Sequence, residues 1–155
     1  MARERNPSPP LAKQVLVQPM LDDRTIGRYR PSWPVRKMLV YSEAYNKFGW
    51  ECYVRVDKAG REAADVSIYA APQVPGRAKV EDLVGLPRTY MDTGELDLFR
   101  DEDLEYAQKL LHANVKVEFH LYPGVPHAFQ ASVTPSVVTR AYENHKRVIQ
   151  AVHME

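Results

Sequence analysis

The stretch "RTYMDTGELDLFRDEDLEYAQKLLHANVKVEFHLYPGVPHAF", residues 88 to 129, decides the fold, because it reads as strand, helix and strand with a loop after each strand. "RTYMDTG" (88 to 94) is a short strand closed by Gly94. Asp101, Glu102 and Asp103 then cluster where a helix N-terminus favours negative charge, with Asp101 expected as the helix cap; Leu104, Ala107, Leu110 and Leu111 share one helix face. Asn114 suits the left-handed position that ends a helix. "VKVEFHLY" (115 to 122) alternates, with Val115, Val117, Phe119 and Leu121 on one side and Lys116, Glu118, His120 and Tyr122 on the other. That is the pattern of a half-exposed strand, placed here at a sheet edge.

Working outward, "KQVLVQPML" (13 to 21) contains the continuous apolar run Val15, Leu16, Val17, the mark of a strand covered on both faces and so of a central strand in a parallel sheet. "LDDRTIGRYRPSWP" (21 to 34) is an irregular loop, and "VRKMLVYSEAYNKF" (35 to 48) a helical stretch. Gly60, Pro72, Pro75, Gly76 and Pro87 break up the middle of the chain. At the far end, "SVVTRAYENHKRVIQAVHM" (136 to 154) is a long helix with Val137, Ala141, Val148 and Val152 on one stripe. The opening charged residues read as the tail of a helix ended by Pro7, Pro9 and Pro10, so residues 1–12 are expected to start in mid-element. Strand, helical insert, strand, helix, strand, helix is the alternation that yields a parallel sheet. The fold class is therefore α/β with three parallel strands, and residues 1–155 form one unit.

Composition narrows the partners. With 45% hydrophobic and 26% charged residues, the chain has the material for one ordinary domain core. Its 21 basic and 20 acidic side chains leave a net charge of +1, which gives no field to attract nucleic acid or an anionic membrane surface. No apolar run approaches the roughly 20 residues that span a bilayer. Cys52 is alone, which rules out an intrachain disulfide and points to a reducing compartment, the cytoplasm.

In an open α/β sheet the working groups gather beyond the carboxyl ends of the strands. The loops "GELDLFRDED" (94 to 103) and "YPGVPHAF" (122 to 129) meet that condition, and they carry Asp97 and His127, one strand–helix–strand unit apart. A carboxylate beside an imidazole accepts the Nδ1 proton, fixes the tautomer and leaves Nε2 to take a proton from a nucleophile. No G-x-S-x-G elbow and no Gly-rich oxyanion loop occurs in these 155 residues, and Cys52 lies in the helical insert without an elbow around it. His120 sits on the polar face of its strand as a locally paired or solvated residue, and His112, His145 and His153 lack a second ligand at metal spacing. Asp22, Asp23 and Arg24 read as a loop salt-bridge network. Trp33, Trp50, Phe99 and Phe129 are core by default, or line an acyl pocket.

"QPMLDDR" after the first strand, "GLPRTYMDTGELDLFRDEDLEYAQKL" through the acid strand and its helix, and "YPGVPHAF" at the histidine turn together resemble the C-terminal half of an α/β-hydrolase of the hormone-sensitive-lipase branch of carboxylesterases and lipases. The resemblance covers nearly the whole chain. It implies a partial α/β-hydrolase fold in which the N-terminal half is absent. It also implies a serine–acid–histidine order, with Asp97 as the catalytic acid and His127 as the catalytic base. The implied activity is carboxylic-ester hydrolysis on a small ester substrate without any cofactor, once the missing serine half completes the site. The alternative is a catalytically inactive truncated product that acts as a binding or interaction module. A third reading has a separate polypeptide contribute the serine half. An apolar first strand without its neighbour would expose a strand edge, through which the chain is expected to self-associate.

Overall fold

A computed structural model describes residues 10–26, 41–67, 74–131 and 135–151. Three parallel strands form one sheet: β1 (Lys13–Val17), β2 (Arg88–Gly94) and β3 (Val117–Tyr122), in that spatial order. Leu16, Met91 and Phe119 lie side by side across it, as do Val17, Asp92 and His120. Because side chains alternate along a strand, these two rows face opposite sides of the sheet.

The first face packs on α3 (Arg100–His112), where Met91, Tyr106, Ala107 and Leu110 share a core with Leu21, Leu83 and Val115. The helix ends as its sequence predicts. Asn114 is left-handed at φ 57°, Val115 N–H donates to the Leu110 carbonyl, and Asn114 N–H donates to that of Leu111. This is the Schellman arrangement, and it seats Val115 in the same core as Leu110. At the other end Asp101 is not the cap: it lies inside the first turn and pairs with Arg100.

The second face carries α4 (Pro135–Gln150), whose Ala141 and Val148 are fully buried. Val152 lies outside the described residues. β3 is the edge strand its alternation predicts among the described residues, half-buried from Val117 to His120; only its end departs from the pattern, where Tyr122, on the polar side, is buried under α4 and Leu121, on the apolar side, is 42% exposed. Helices on both faces are what a parallel sheet requires.

Among the described residues β1 pairs only with β2, so its other edge is open, as expected of an apolar strand without its neighbour; Val17 is 42% exposed, and β2 between the two other strands is buried from Thr89 to Gly94.

The predicted helix over 35–48 is found as α1 (Glu43–Val54), started by the Ser42 hydroxyl, which accepts from Tyr45 N–H; residues 27–40 lie outside the described part. Gly49 does not stop it, because Trp50 and Val54 bury themselves against Val74. Residues 1–9 are likewise outside the described part, and Pro10–Ala12 are not helical. A single turn, α2 (Val80–Leu83), precedes β2.

Two contacts fix the rim of the sheet. Glu102, in the first turn of α3, accepts from Leu21 N–H (2.6 Å), Asp22 N–H (3.2 Å) and the Thr25 hydroxyl, and so ties the loop after β1 to the helix after β2. Gly94 ends β2 directly under the turn after β3: a Cβ there would stand 2.2 Å from the Val125 carbonyl oxygen. Only glycine allows that approach.

Burial pushes the Glu102 carboxyl up to about 8, and Asp103 beside it is raised by burial first and by the Glu102 charge second. Both groups hold their protons more tightly folded than unfolded. Their contribution is therefore complete below the unfolded carboxylate range and is lost above it, for Glu102 as pH rises toward 8. Urea unfolding is expected to show stability falling between about pH 5 and 8, by at most about 1.4 kcal/mol per pH unit for each group. Glu102→Gln should flatten that slope; an unchanged slope contradicts the assignment. Gly94→Ala should cost about 1–3 kcal/mol in the same assay, as overpacking does, and should shift the His127 resonances.

Candidate active site

The loop after β2 and the turn after β3 are laced together by backbone. Glu95 N–H donates to the Tyr122 carbonyl (2.8 Å) and Leu96 N–H to that of Val125 (3.0 Å), while Gly124 N–H donates to the Glu95 carboxylate (2.8 Å). Both segments leave the carboxyl ends of parallel strands, the rim where an open α/β sheet places its chemistry.

This lacing brings Asp97 and His127 together. The Asp97 side chain is fully buried, and its Oδ2 lies 3.0 Å from Nδ1 of His127, whose side chain is 23% exposed. The other oxygen, Oδ1, accepts from Phe99 N–H at 2.9 Å just before α3 begins. So Asp97 does the work of turning the chain into the helix, which the sequence had given to Asp101, and faces the imidazole as well. An ionised carboxylate only accepts, so the ring donates from Nδ1, and Nε2 keeps its lone pair for a proton. Phe99 meets the ring edge-on at 5.2 Å and Tyr41 lies 5.4 Å away at a tilt, which fixes the ring plane.

Gln18, just beyond β1, reaches the same turn. Its side-chain oxygen accepts from Ala128 N–H at 2.5 Å and its amide nitrogen donates to the Gln130 side chain at 2.9 Å. Sequence reading missed it, as it missed Tyr41. The partners are 110 residues apart, and although Gln18 opens the "QPMLDDR" stretch, nothing in that stretch points to the histidine turn.

The remaining titratable groups divide cleanly. Arg24 forks onto Asp22, and Arg77 onto the fully buried Asp23, which also accepts from Gly60 N–H; this is the loop salt-bridge network read from the sequence. Asp22 raises Arg24 above the usual guanidinium range. His120 pairs locally with Glu118 at 2.8 Å, and the Arg147 guanidinium holds the Glu118 carboxyl below its ordinary value. Trp50 and Phe129 are core; Trp33 and His153 lie outside the described residues. No three His, Cys, Asp or Glu side chains among the described residues converge as metal ligands, and Cys52 is exposed on α1. Among the described residues no helix is long and apolar enough to cross a membrane.

A further contact has no signal in the sequence. Under α4, His145 Nε2 lies 2.5 Å from Oδ2 of Asp92, which also accepts from the Tyr90 hydroxyl at 2.7 Å. Asn144 extends the network by donating to the Tyr122 hydroxyl at 2.9 Å. Burial, with smaller effects from Tyr122 and Asp92, holds the Tyr90 phenol above its ordinary range.

Comparison with known proteins places this geometry in context. A search of curated proteins returns no match. Among solved structures, a bacterial heroin esterase is 38% identical with a TM-score of 0.74 over 92% of this chain and 43% of its own. Esterase LipW from Mycobacterium marinum is 29% identical with a TM-score of 0.70, over 95% and 42%. Brefeldin A esterase, described as a bacterial homologue of human hormone-sensitive lipase, shares the fold at 16% identity with a TM-score of 0.64, over 99% and 41%. The chain thus spans about two fifths of the length of these esterases. A family model described as the alpha/beta hydrolase fold matches residues 1–131, from before β1 to just past the histidine turn, and the chain belongs to that family.

Proposed function

We propose that the chain supplies the acid and the base of a serine-type carboxylic-ester hydrolase, the serine and the oxyanion donors coming from a segment other than these 155 residues. The observation that carries this reading is the 3.0 Å contact between buried Asp97 and the Nδ1 of partly exposed His127 on the carboxyl rim of the sheet. Similarity to esterases supports ester substrates as the class. In the reaction so read, Nε2 of His127 takes the serine proton as the hydroxyl oxygen attacks the ester carbonyl. Asp97 stabilises the imidazolium that forms. The ring then returns the proton to the departing alkoxide, and a water repeats the sequence on the acyl-serine. A lone exposed Cys52 fits a reducing, cytoplasmic setting.

A second reading, an interaction module without turnover, draws on surface that the described residues leave uncovered. β1 is paired on one side among them, Leu11 is 54% exposed, and Tyr45 and Phe48 on α1 are 63% and 66% exposed. Such a strand edge favours self-association of the isolated chain.

Three measurements separate these readings. The purified chain offered a short-chain aryl ester is expected to give no turnover; activity abolished by Asp97→Asn or His127→Ala would reveal a nucleophile within the chain. Adding a serine-bearing N-terminal segment should restore hydrolysis, and either substitution should then lower kcat by about 10⁴-fold. Sedimentation at tens of micromolar is expected to show oligomers, and a stable monomer with cooperative melting would count against the open edge.

A further inference from the structure

We infer that Gln18 is a positioning residue for His127, holding the histidine turn from the end of β1; this rests on the reading of His127 as the base. The turn has two anchors. Ahead of His127, the Val125 carbonyl is held by Leu96 N–H, over Gly94. Behind it, Ala128 N–H is held by the Gln18 side-chain oxygen. Between them stand only Pro126, which has no N–H to give, and His127 itself.

Ala128 needs such a hold. Its φ of 57° lies in the left-handed region, which disfavours residues with a Cβ, and its N–H points into a partly buried place. Gln18 is itself left-handed at φ 45°, pinned by its own N–H on the Asp92 carbonyl at 2.9 Å. That backbone twist turns the side chain across the end of the sheet. The amide is used at both ends and is 7% exposed, and its orientation is fixed by chemistry because Ala128 N–H demands an oxygen. Three strands therefore share one dyad: β2 delivers Asp97, β3 delivers His127, and β1 delivers the residue that fixes the backbone between the ring and Phe129.

The test reads the tautomer of His127 in the full chain by long-range ¹H–¹⁵N spectroscopy of the neutral imidazoles, in solution or in sedimented material. The parent should hold the Nδ1–H form. Gln18→Met, which keeps length without an acceptor, should move His127 toward the Nε2–H form by about fivefold in the tautomer ratio, the worth of one net hydrogen bond. Gln18→Glu keeps an oxygen for Ala128 N–H and should stay with the parent, as should His112 and His120 in every variant. A His127 ratio unmoved by Gln18→Met overturns the role. If Gln18→Met disturbs every histidine, the decision passes to Gln130→Ala, which frees the Gln18 amide: a smaller shift confined to His127 supports the role and no shift overturns it. Asp97→Asn is the separate control. If it leaves His127 unchanged, the acid–base reading fails; if it moves His127 while Gln18→Met does not, only the positioning role falls.

Discussion

The close passage of the Val125 carbonyl over Gly94 is the constraint on which the rim depends. It lets the turn after β3 lie on the end of β2, so that two backbone hydrogen bonds form between the loops and the Asp97 carboxylate comes within reach of the His127 ring. Any side chain at position 94 would push the turn off the sheet by more than a hydrogen bond tolerates. A missing atom thus does what no attractive group could.

Around that passage the structure uses charge sparingly and buries it with care. Glu102 ties the loop after β1 to α3 by accepting from two backbone N–H groups and a hydroxyl, and Asp23 is gripped by Arg77 and Gly60 N–H. Carboxyl groups are expensive to bury and worthwhile only when their hydrogen-bonding sites are filled: burial makes Glu102 keep its proton, whereas Asp23 is paired with Arg77. Their common effect is to make residues 21–25, just after β1, a fixed part of the scaffold beneath the rim.

What the sequence disclosed, and what it withheld, follows the range of the interactions. The C-terminal end of α3 was legible because its cause, Asn114, is local; at the other end the acidic cluster marked the first turn, but the side chain that receives Phe99 N–H is Asp97 and not Asp101. The Asp97–His127 pair was legible because one strand–helix–strand unit separates its members and topology does the rest. The end of β3 was not legible, because Tyr122 is buried by a partner on α4, Asn144, which lies 22 positions away. Gln18, and the Asp92–His145 contact, join residues more than fifty positions apart with no periodicity to betray them.

The division of labour within Asp97 has a consequence of its own. One oxygen faces the Phe99 peptide N–H just ahead of α3 and the other an imidazole, so the two cannot be adjusted independently. A small rotation of α3 about its axis, from a remote change in packing, would be transmitted through a rigid planar group of three atoms as a tilt of the ring. Variation in helix seating among related sequences would then surface as variation in reactivity, with every residue at the rim left the same.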